Sequence, residues 1–313
     1  GSINGGGRYT GSAAVKFAVE MANTRSLQFR LHEELRVDSV RDADGHNIPF
    51  VRWTKERNKK NPLFLFLNAP LNRGDTIAFT FYYHGDIAES KVGVFLVNAG
   101  GTWYPKYGER TIANFDMSFD MPPQYTFIAT GQRTDSLSVD GWTRTRWHVE
   151  SPTSWVTFNL GTLTRYSFSK AGSADIDIYF NEQLHRSMAI ENTRTPSTLE
   201  EGEDTTDAVS DWKVQSMAPE KLAAGLDVAG SHMEQQVADD IRGGYNLYSA
   251  LFGQIPENRL VAADLTQTTT SVYPGYVALS YLTFYKTDPF GAYNMHRASA
   301  GSSQWWGVGV RSA

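Results

Sequence analysis

Apolar side chains recur at every second position through much of the first half of the sequence, and this pattern restricts the fold more than any other feature. The recurring positions are Val15, Phe17, Val19, Leu27, Phe29, Leu31, Ile77, Phe79, Phe81 and Tyr83. Because successive side chains of a strand point to opposite faces, this period predicts strands that are buried on one face. Short strands separated by frequent turns predict an antiparallel β-sandwich.

One apolar stretch in this half does not alternate. Residues Leu63–Leu67 read LFLFL and are bounded by Pro62 and Asn68. A short continuous apolar run between turn residues predicts a strand that is buried on both faces. Further strands are predicted over residues 115–119, 125–130, 143–149, 155–160 and 176–180.

The pattern changes near residue 180, where helical spacing replaces the period of two. Ser231 is a suitable N-cap, and Val237, Ile241, Tyr245, Tyr248 and Phe252 after it follow helical spacing. A strand and turn are predicted over 272–285 and a second helix over 293–306. Strands followed by mixed helix and strand predict two domains. We expect a β-sandwich over residues 1–172 and a smaller α/β domain over 173–313.

The segment between the predicted strand over 176–180 and the predicted helix after Ser231 is acidic and polar. Residues Thr193–Asp211 read TRTPSTLEEGEDTTDAVSD and contain almost no large apolar side chain. Such a composition cannot bury enough apolar surface to offset its ordering entropy. We therefore predict a flexible acidic loop over 194–211, either as a solvated insertion or as an acidic docking segment.

Composition excludes several functional classes. The chain has 313 residues, with 29 Lys and Arg against 34 Asp and Glu, a net charge of −5. This balance gives no support for a nucleic-acid partner, which calls for a basic face. The absence of cysteine excludes disulfides, thiolate metal sites and a cysteine nucleophile. No apolar run approaches the roughly 20 residues that span a bilayer.

Motifs for common catalytic sites are also absent. None of the seven histidines lies four residues from another, so no helical pair of zinc ligands exists. The segment His32–Arg36 reads HEELR and has arginine where the zinc motif H-E-x-x-H needs its second histidine. No G-x-S-x-G elbow or phosphate-binding loop occurs. The residues alone therefore offer no intact catalytic constellation.

Five segments, in order along the chain, resemble those of one enzyme family. They are TWYPKYGERTIANFDMSFDMPPQYTFIATGQ (Thr102–Gln132), SPTSWVTFNLG (Ser151–Gly161), LFGQIPENRL (Leu251–Leu260), YPGYVALSYLTF (Tyr273–Phe284) and QWWG (Gln304–Gly307). They resemble the aminopeptidase N family of zinc metallopeptidases, of the gluzincin type. The resemblance implies an N-terminal β-sandwich followed by a truncated thermolysin-like α/β domain.

The last segment sets the register for a zinc helix. In the family, H-E-x-x-H is followed directly by Q-W-W-G, which Gln304, Trp305, Trp306 and Gly307 match. The resemblance therefore places Ser299 and Ser303 where the zinc histidines stand. It places Ala300 where the glutamate that activates water stands. The family's third ligand, a later glutamate, has no counterpart here. We expect no metal and no catalytic residue in this chain, with Ser299, Ala300 and Ser303 as degenerate positions.

A substrate-edge strand is implied by the same resemblance. We assign it to Pro274, Gly275, Tyr276, Val277 and Ala278. Many relatives capture the free amine of a peptide with a G-x-M-E-N strand, and matching its glycine to Gly275 puts Ala278 in the place of its glutamate.

Three functions remain open at this point. The chain is either a catalytically silent binding or structural module, or a zinc aminopeptidase that is active in its native full-length form. The third is a carbohydrate- or protein-binding sandwich with Trp103, Tyr104 and Tyr107 as an aromatic platform.

The resemblance also bears on partners and location. A peptide or protein partner is expected. Another chain is expected to cover the C-terminal end, because Trp305 and Trp306 would be partly exposed unless another chain or a rearranged terminus buries them. The opening Gly1-Ser2 resembles the remnant of a cleaved tag. We expect an extracytoplasmic location, periplasmic or secreted, with a cytoplasmic one left open.

Overall fold

The computed structural model describes residues 1–53, 62–97, 102–108, 111–187, 233–254, 259–284 and 292–305. Within these ranges the chain is mostly β, with four sheets and few helices. The strands in chain order are β1 Ser2–Ile3, β2 Arg8–Ala18, β3 Thr24–Arg30, β4 Leu35–Arg41, β5 Phe50–Arg52, β6 Pro62–Leu71, β7 Thr76–Asp86, β8 Ala88–Lys91, β9 Val94–Val97, β10 Lys106–Tyr107, β11 Ala113–Met121, β12 Thr126–Ala129, β13 Gln132–Val139, β14 Trp142–Thr153, β15 Phe158–Gly161, β16 Thr164–Phe168, β17 Asp175–Phe180, β18 Arg259–Leu265, β19 Ser271–Tyr273 and β20 Tyr276–Ser280.

Three sheets form the sandwich. Sheet 1 has seven strands in the order β13-β14-β11-β1-β2-β7-β4, sheet 2 has the order β10-β3-β6-β5, and sheet 3 has the order β12-β15-β9-β8. Phe79 and Phe81 of sheet 1 and Phe29 of sheet 2 are at most 1 % exposed in one shared core. The alternating pattern therefore places the strands and their buried faces as predicted.

The prediction of a fully buried strand at Leu63–Leu67 was wrong. Leu63 and Leu65 are buried, but Phe66 in the same strand is 46 % exposed. The reason is that β6 lies in sheet 2, which has one face on the core and the other towards solvent. A continuous apolar run does not reveal which of its side chains face solvent.

Sheet 4 forms the second part of the fold, with the order β16-β17-β18-β20-β19. Strands β17, β18 and β20 are parallel, and β16 and β19 are antiparallel to their neighbours. Because β16 already belongs to this sheet, the chain leaves the sandwich between Gly161 and Thr164. The change of sheet thus comes before residue 172, and the domain boundary itself remains a prediction.

Two helices cover one face of sheet 4. Helix α1 spans Met233–Phe252 and helix α2 spans Ala292–Ser302. The spacing of Val237, Ile241 and Tyr245 correctly predicted the buried face of α1. Its last two turns contain no fully buried residue, and Phe252 is 54 % exposed.

The other face of sheet 4 packs against the sandwich. Tyr179, Val261 and Tyr276 join the core of sheets 1 to 3. Polar bonds strengthen this contact, because the Gly131 N–H donates to the Pro274 carbonyl at 2.8 Å and the Tyr276 hydroxyl donates to Asn159 Oδ1 at 2.6 Å. The predicted loop over 194–211 lies outside the described residues.

None of the helices in the described ranges combines the length and apolar character needed to cross a bilayer.

Candidate functional site

The candidate site lies on α2 and on the turn that follows it. Ser299 is exposed and Ser303 is half-buried. The Ser303 N–H and hydroxyl both donate to the Ser299 carbonyl, at 2.9 and 2.7 Å. The two serines are therefore one helical turn apart on one face, as the resemblance requires of two metal ligands.

Ala300, between them, points elsewhere. It is 2 % exposed and belongs to the core that also contains Ile241, Tyr245 and Trp305. The neighbouring Gly301 is also buried. Ala300 and Gly301 are small because α1 packs directly against them.

Gln304, in the turn after α2, binds the backbone of sheet 4. Its side chain is 0 % exposed. Its Oε1 accepts from the Gly275 N–H at 3.1 Å, and its Nε2 donates to the Tyr273 carbonyl at 3.1 Å. One amide side chain therefore satisfies two backbone groups at the turn between β19 and β20, and holds α2 beside the edge of sheet 4.

The predicted position of the edge strand needs correction. Tyr276, Val277 and Ala278 belong to β20, which pairs with β18 on one side and with β19 on the other. Pro274 and Gly275 form the turn. The edge strand on this side of the sheet is β19, Ser271–Tyr273, and β16 forms the opposite edge. The sequence misled because two short strands joined by a tight turn look like a single run.

The edge strand carries no acidic side chain, since its residues are serine, valine and tyrosine. Ala278 lies in an inner strand and is 4 % exposed. An amine-binding glutamate on the edge strand would lie within Ser271–Tyr273 and not at Ala278. Neither place contains a glutamate.

Trp305 is buried by its own chain, contrary to the expectation that it needs a cover from another. It is 2 % exposed, and its Nε1 donates to the Gly253 carbonyl at 2.9 Å. Its ring lies 4.8 Å from that of Tyr245 and 6.0 Å from that of Tyr248. The last turns of α1 thus provide the contact. Trp306 and Gly307 lie outside the described residues.

Sequence reasoning missed a buried arginine on α2. Arg297 is 1 % exposed, and its Nε donates to Asp240 of α1 at 2.7 Å. Its Nη1 donates to the Thr283 carbonyl at 2.6 Å, and its Nη2 contacts Asn294. The sequence signal that could have revealed it is an arginine within the predicted helix over 293–306. It is already engaged within the fold, so it fixes α2 rather than facing a ligand.

A buried His–Asp pair was also missed. His185 Nε2 lies 2.8 Å from Asp264 Oδ2, and the Asn181 N–H donates to the same oxygen at 3.1 Å. Burial raises the pKa of the Asp264 carboxyl, while the hydrogen bonds from His185 and Asn181 oppose that rise. The pair joins the helical residues 182–187 to β18. Both side chains are at most 4 % exposed, so the pair does not contact solvent.

The aromatic platform is contradicted by the burial of its members. Trp103 is 5 % exposed and Tyr104 is 9 % exposed. Trp103 Nε1 donates to the Val156 carbonyl at 2.9 Å, and Tyr107 stacks on Phe17 at 5.2 Å. Trp103 and Tyr104 belong to the sandwich core and Tyr107 packs against it, so the three rings form no fully exposed row.

Zinc, the metal that the resemblance implies, does not fit the side chains of α2. Zinc in proteins takes imidazole, thiolate or carboxylate ligands, and Ser299, Ala300 and Ser303 offer none of these. In the described part of the chain, one group of three metal-binding side chains occurs, formed by Asp42, Asp44 and His46. It sits on an exposed turn of the sandwich, where Asp42 Oδ1 accepts from the Asp44 and His46 N–H groups.

Comparison with known proteins gives a likeness of fold. No family model and no curated protein matches the sequence. The M1 zinc metallopeptidase of Deinococcus radiodurans matches with a TM-score of 0.64 and 14 % identity, over 98 % of this chain and 62 % of that one. Its E323A mutant matches with a TM-score of 0.64 and 13 % identity over the same shares.

A third structure is that mutant bound to a Tyr-Ser-Ala substrate, with a TM-score of 0.63, 13 % identity and the same coverage. The chain therefore spans about 62 % of the length of the solved structures that it resembles. At this identity the likeness concerns the fold, which is that of a zinc metallopeptidase of the aminopeptidase type.

Proposed function

We propose that this chain is a catalytically silent scaffold of the metallopeptidase type, which serves as a binding or structural module for a peptide or protein. The observation that carries the proposal is the face of α2. It has the spacing of a pair of metal ligands, but serine occupies both positions and the buried Ala300 lies between them.

The chemistry of these side chains argues against turnover. A catalytic zinc site needs three protein ligands and an open position for water. Without the metal, water keeps its bulk acidity. Ala300 has no group that accepts a proton, so no general base stands in the position that the resemblance assigns to one.

A retained capacity to bind peptides is supported by the edge of sheet 4. Strand β19 is one of the two outer strands of this sheet, and the Gln304 hydrogen bonds hold α2 beside it. An extended peptide can add a strand to such an edge through main-chain hydrogen bonds. The Deinococcus radiodurans enzyme with one glutamate replaced by alanine was crystallised with Tyr-Ser-Ala bound, so that scaffold holds a peptide without that glutamate.

Two further expectations accompany this proposal. The division into two domains at residue 172 stays a prediction, and β16 joins sheet 4 before that residue. The extracytoplasmic location rests on the resemblance alone.

The test combines turnover with binding. We expect no hydrolysis of aminoacyl anilides or of Tyr-Ser-Ala, with the Deinococcus radiodurans enzyme as the positive control. Turnover that a chelator abolishes would instead favour the active zinc peptidase.

For binding, NMR titration with Tyr-Ser-Ala is expected to shift the amide signals of Ser271, Val272 and Tyr273. Val272→Pro removes an N–H from the edge strand and should weaken the titration. Leu251→Ala, on an exposed part of α1, is the control. Shifts that are unchanged in Val272→Pro would place the peptide elsewhere.

A further inference from the structure

Three arginines approach sheet 4 on the face that packs against the sandwich. Arg165 lies on β16, an edge strand of sheet 4, and Arg259 is the first residue of β18. Arg133 lies on β13, an edge strand of sheet 1. The three side chains therefore come from two sheets on either side of one boundary, and ligand sites are common at boundaries of this kind.

The strand register fixes the face on which Arg165 lies. Arg165 pairs with Tyr179, and Ser167 pairs with Asp177. The side chains of directly paired residues share one face of a sheet. Because Tyr179 belongs to the sandwich core, Arg165 and Asp177 lie on the sandwich-facing side of sheet 4.

Asp177 is a buried carboxylate that positions two of the arginines. It is 3 % exposed. Arg165 Nη2 donates to its two oxygens at 3.1 and 3.0 Å, and Arg259 Nε lies 3.2 Å from its Oδ2. The Ser167 hydroxyl donates to its Oδ1 at 2.6 Å. One carboxylate below the surface thus holds both guanidinium groups in place.

Most donors of these two guanidinium groups remain available. An arginine side chain carries five N–H groups. Within the described ranges, Arg165 bonds through Nη2 and Arg259 through Nε. Their side chains are 37 % and 44 % exposed, so their other N–H groups are open to solvent.

Arg133 faces the same boundary from the sandwich. It pairs with the buried Trp147, so it lies on the inner side of sheet 1. Its side chain is exposed and makes no hydrogen bond or ion pair with any other described residue. Its guanidinium group is therefore uncommitted.

The positive charges act together on the Tyr179 hydroxyl. Burial raises the pKa of this hydroxyl, three positive charges oppose the rise, and the charge of Asp177 adds to it. The positive charges are those of Arg165, Arg133 and Arg259. Asp175, at the start of β17, forms no ion pair with the described arginines. Positive charge thus exceeds negative charge by two around this hydroxyl.

We propose that Arg133, Arg165 and Arg259 form a binding site for a small, doubly charged oxyanion, of which inorganic phosphate is the simplest. Guanidinium groups bind phosphate oxygens through paired N–H donors. A dianion matches the excess positive charge. Asp177 is a positioning residue, because it holds two guanidinium groups without neutralising all of their charge. The site lies on the opposite face of sheet 4 from α2 and is independent of the function proposed for that helix.

Titration with inorganic phosphate tests the site at pH 8, where phosphate is mostly the dianion, and at constant ionic strength. We expect saturable shifts of the Nε–Hε NMR signals of Arg133, Arg165 and Arg259. Arg133→Gln removes one charge without breaking a contact, so it should weaken binding at least about fivefold and leave the unfolding temperature unchanged. Arg146→Gln is the matched control, because it removes the same charge from the outer face of the same sheet.

Two results of this titration would overturn the proposal. One is the absence of a saturable shift in the millimolar range of phosphate. The other is equal weakening by Arg133→Gln and Arg146→Gln, which would show a diffuse effect of net charge.

Two further arms test the geometry and the ligand class. Arg165→Lys keeps the charge but lacks the planar fork, so it should also weaken phosphate binding. Unchanged binding in Arg165→Lys would contradict recognition by paired donors. Acetate carries a single charge and should bind more weakly than phosphate. Acetate that binds as tightly as phosphate would contradict a site for a dianion.

Discussion

Gly301 of α2 lies directly against the carbonyl oxygen of Ile241 in α1. A Cβ atom on Gly301 would be 2.1 Å from that oxygen, and one on Gly244 would be 2.0 Å from the Ala298 carbonyl oxygen. The two helices therefore cross with their backbones in contact, which only glycine permits at these points. The small residues of α2 are accounted for by this crossing.

Substitution at the crossing should destabilise the fold strongly. Gly301→Ala and Gly244→Ala each force the helices apart, and we expect the free energy of unfolding to fall by about 2–3 kcal/mol, as in overpacked cores. Gly243→Ala is the matched control, because a Cβ there has nothing within 4 Å. It should leave stability unchanged or raise it by up to about 1 kcal/mol through helix propensity. Urea denaturation of the three variants tests this, and equal effects would contradict the crossing.

A glutamate introduced at position 300 should destabilise the fold far more than one introduced at position 299. Ala300 is 2 % exposed within an apolar core, so Ala300→Glu buries a carboxylate without a partner and should cost about 3 kcal/mol or more. Ser299→Glu, on the exposed face of the same helix, should change stability by less than about 0.5 kcal/mol. Thermal unfolding at pH 7 measures both. If Ala300→Glu is neutral, the position is open to solvent and the described packing is incorrect.

Gln304 should control the order of the turn between β19 and β20. Gln304→Met keeps the approximate size of the side chain but leaves the Gly275 N–H and the Tyr273 carbonyl without their partner. Each unsatisfied buried group costs about 1–3 kcal/mol, so amide exchange at Gly275 should accelerate at least tenfold. Gln235→Met, on the exposed face of α1, is the control. Unchanged exchange at Gly275 would show that Gln304 does not hold the turn.

The pair of Asp120 and Arg144 predicts a pH-dependent contribution to stability. Arg144 Nε and Nη2 donate to the two carboxylate oxygens at 2.6 and 2.8 Å. These bonds lower the pKa of Asp120 below its ordinary 3.8, against a smaller opposing effect of burial. A lowered pKa stabilises the fold above the ordinary value, and this stability is lost as the pH falls through the lowered pKa.

Asp120→Asn should therefore reduce the free energy of unfolding by about 0.5–1 kcal/mol at pH 7, a modest value because the pair is partly exposed. The difference from the unchanged chain should shrink as the pH falls below 3.8. Urea denaturation from pH 7 to pH 3 measures it, with the exposed Asp86→Asn as control. A difference that grows towards acid would have the wrong sign.

Local patterns predicted the parts of the fold that depend on local chemistry. The period of two in β2 and β7 gave the correct buried face, and the spacing of Val237, Ile241 and Tyr245 gave that of α1. The exposure of Phe66 was not predictable, because it depends on what lies beyond β6 and not on the residues within it.

The candidate site was predicted less completely, because its contacts join distant parts of the chain. Trp305 is buried by Tyr245, and Arg297 is held by Asp240, across more than 50 positions of sequence. No local pattern encodes either contact. The predicted strand over 272–285 was not divided into β19 and β20, because two short strands joined by a tight turn look like a single run.

Helix α2 keeps the spacing of a metal-binding helix without its ligands, and zinc titration measures the consequence. The comparison uses the unchanged chain and Ser299→His/Ser303→His, which places two imidazoles one turn apart on the same face. Two ligands fall short of the three of a catalytic zinc site.

We predict that isothermal titration detects no zinc binding at α2 in the unchanged chain and weak binding in the double variant. Metal analysis of the purified chain should likewise find less than stoichiometric zinc. Stoichiometric zinc in the unchanged chain, lost on substitution near Ser299, would contradict the account and favour an active metallopeptidase.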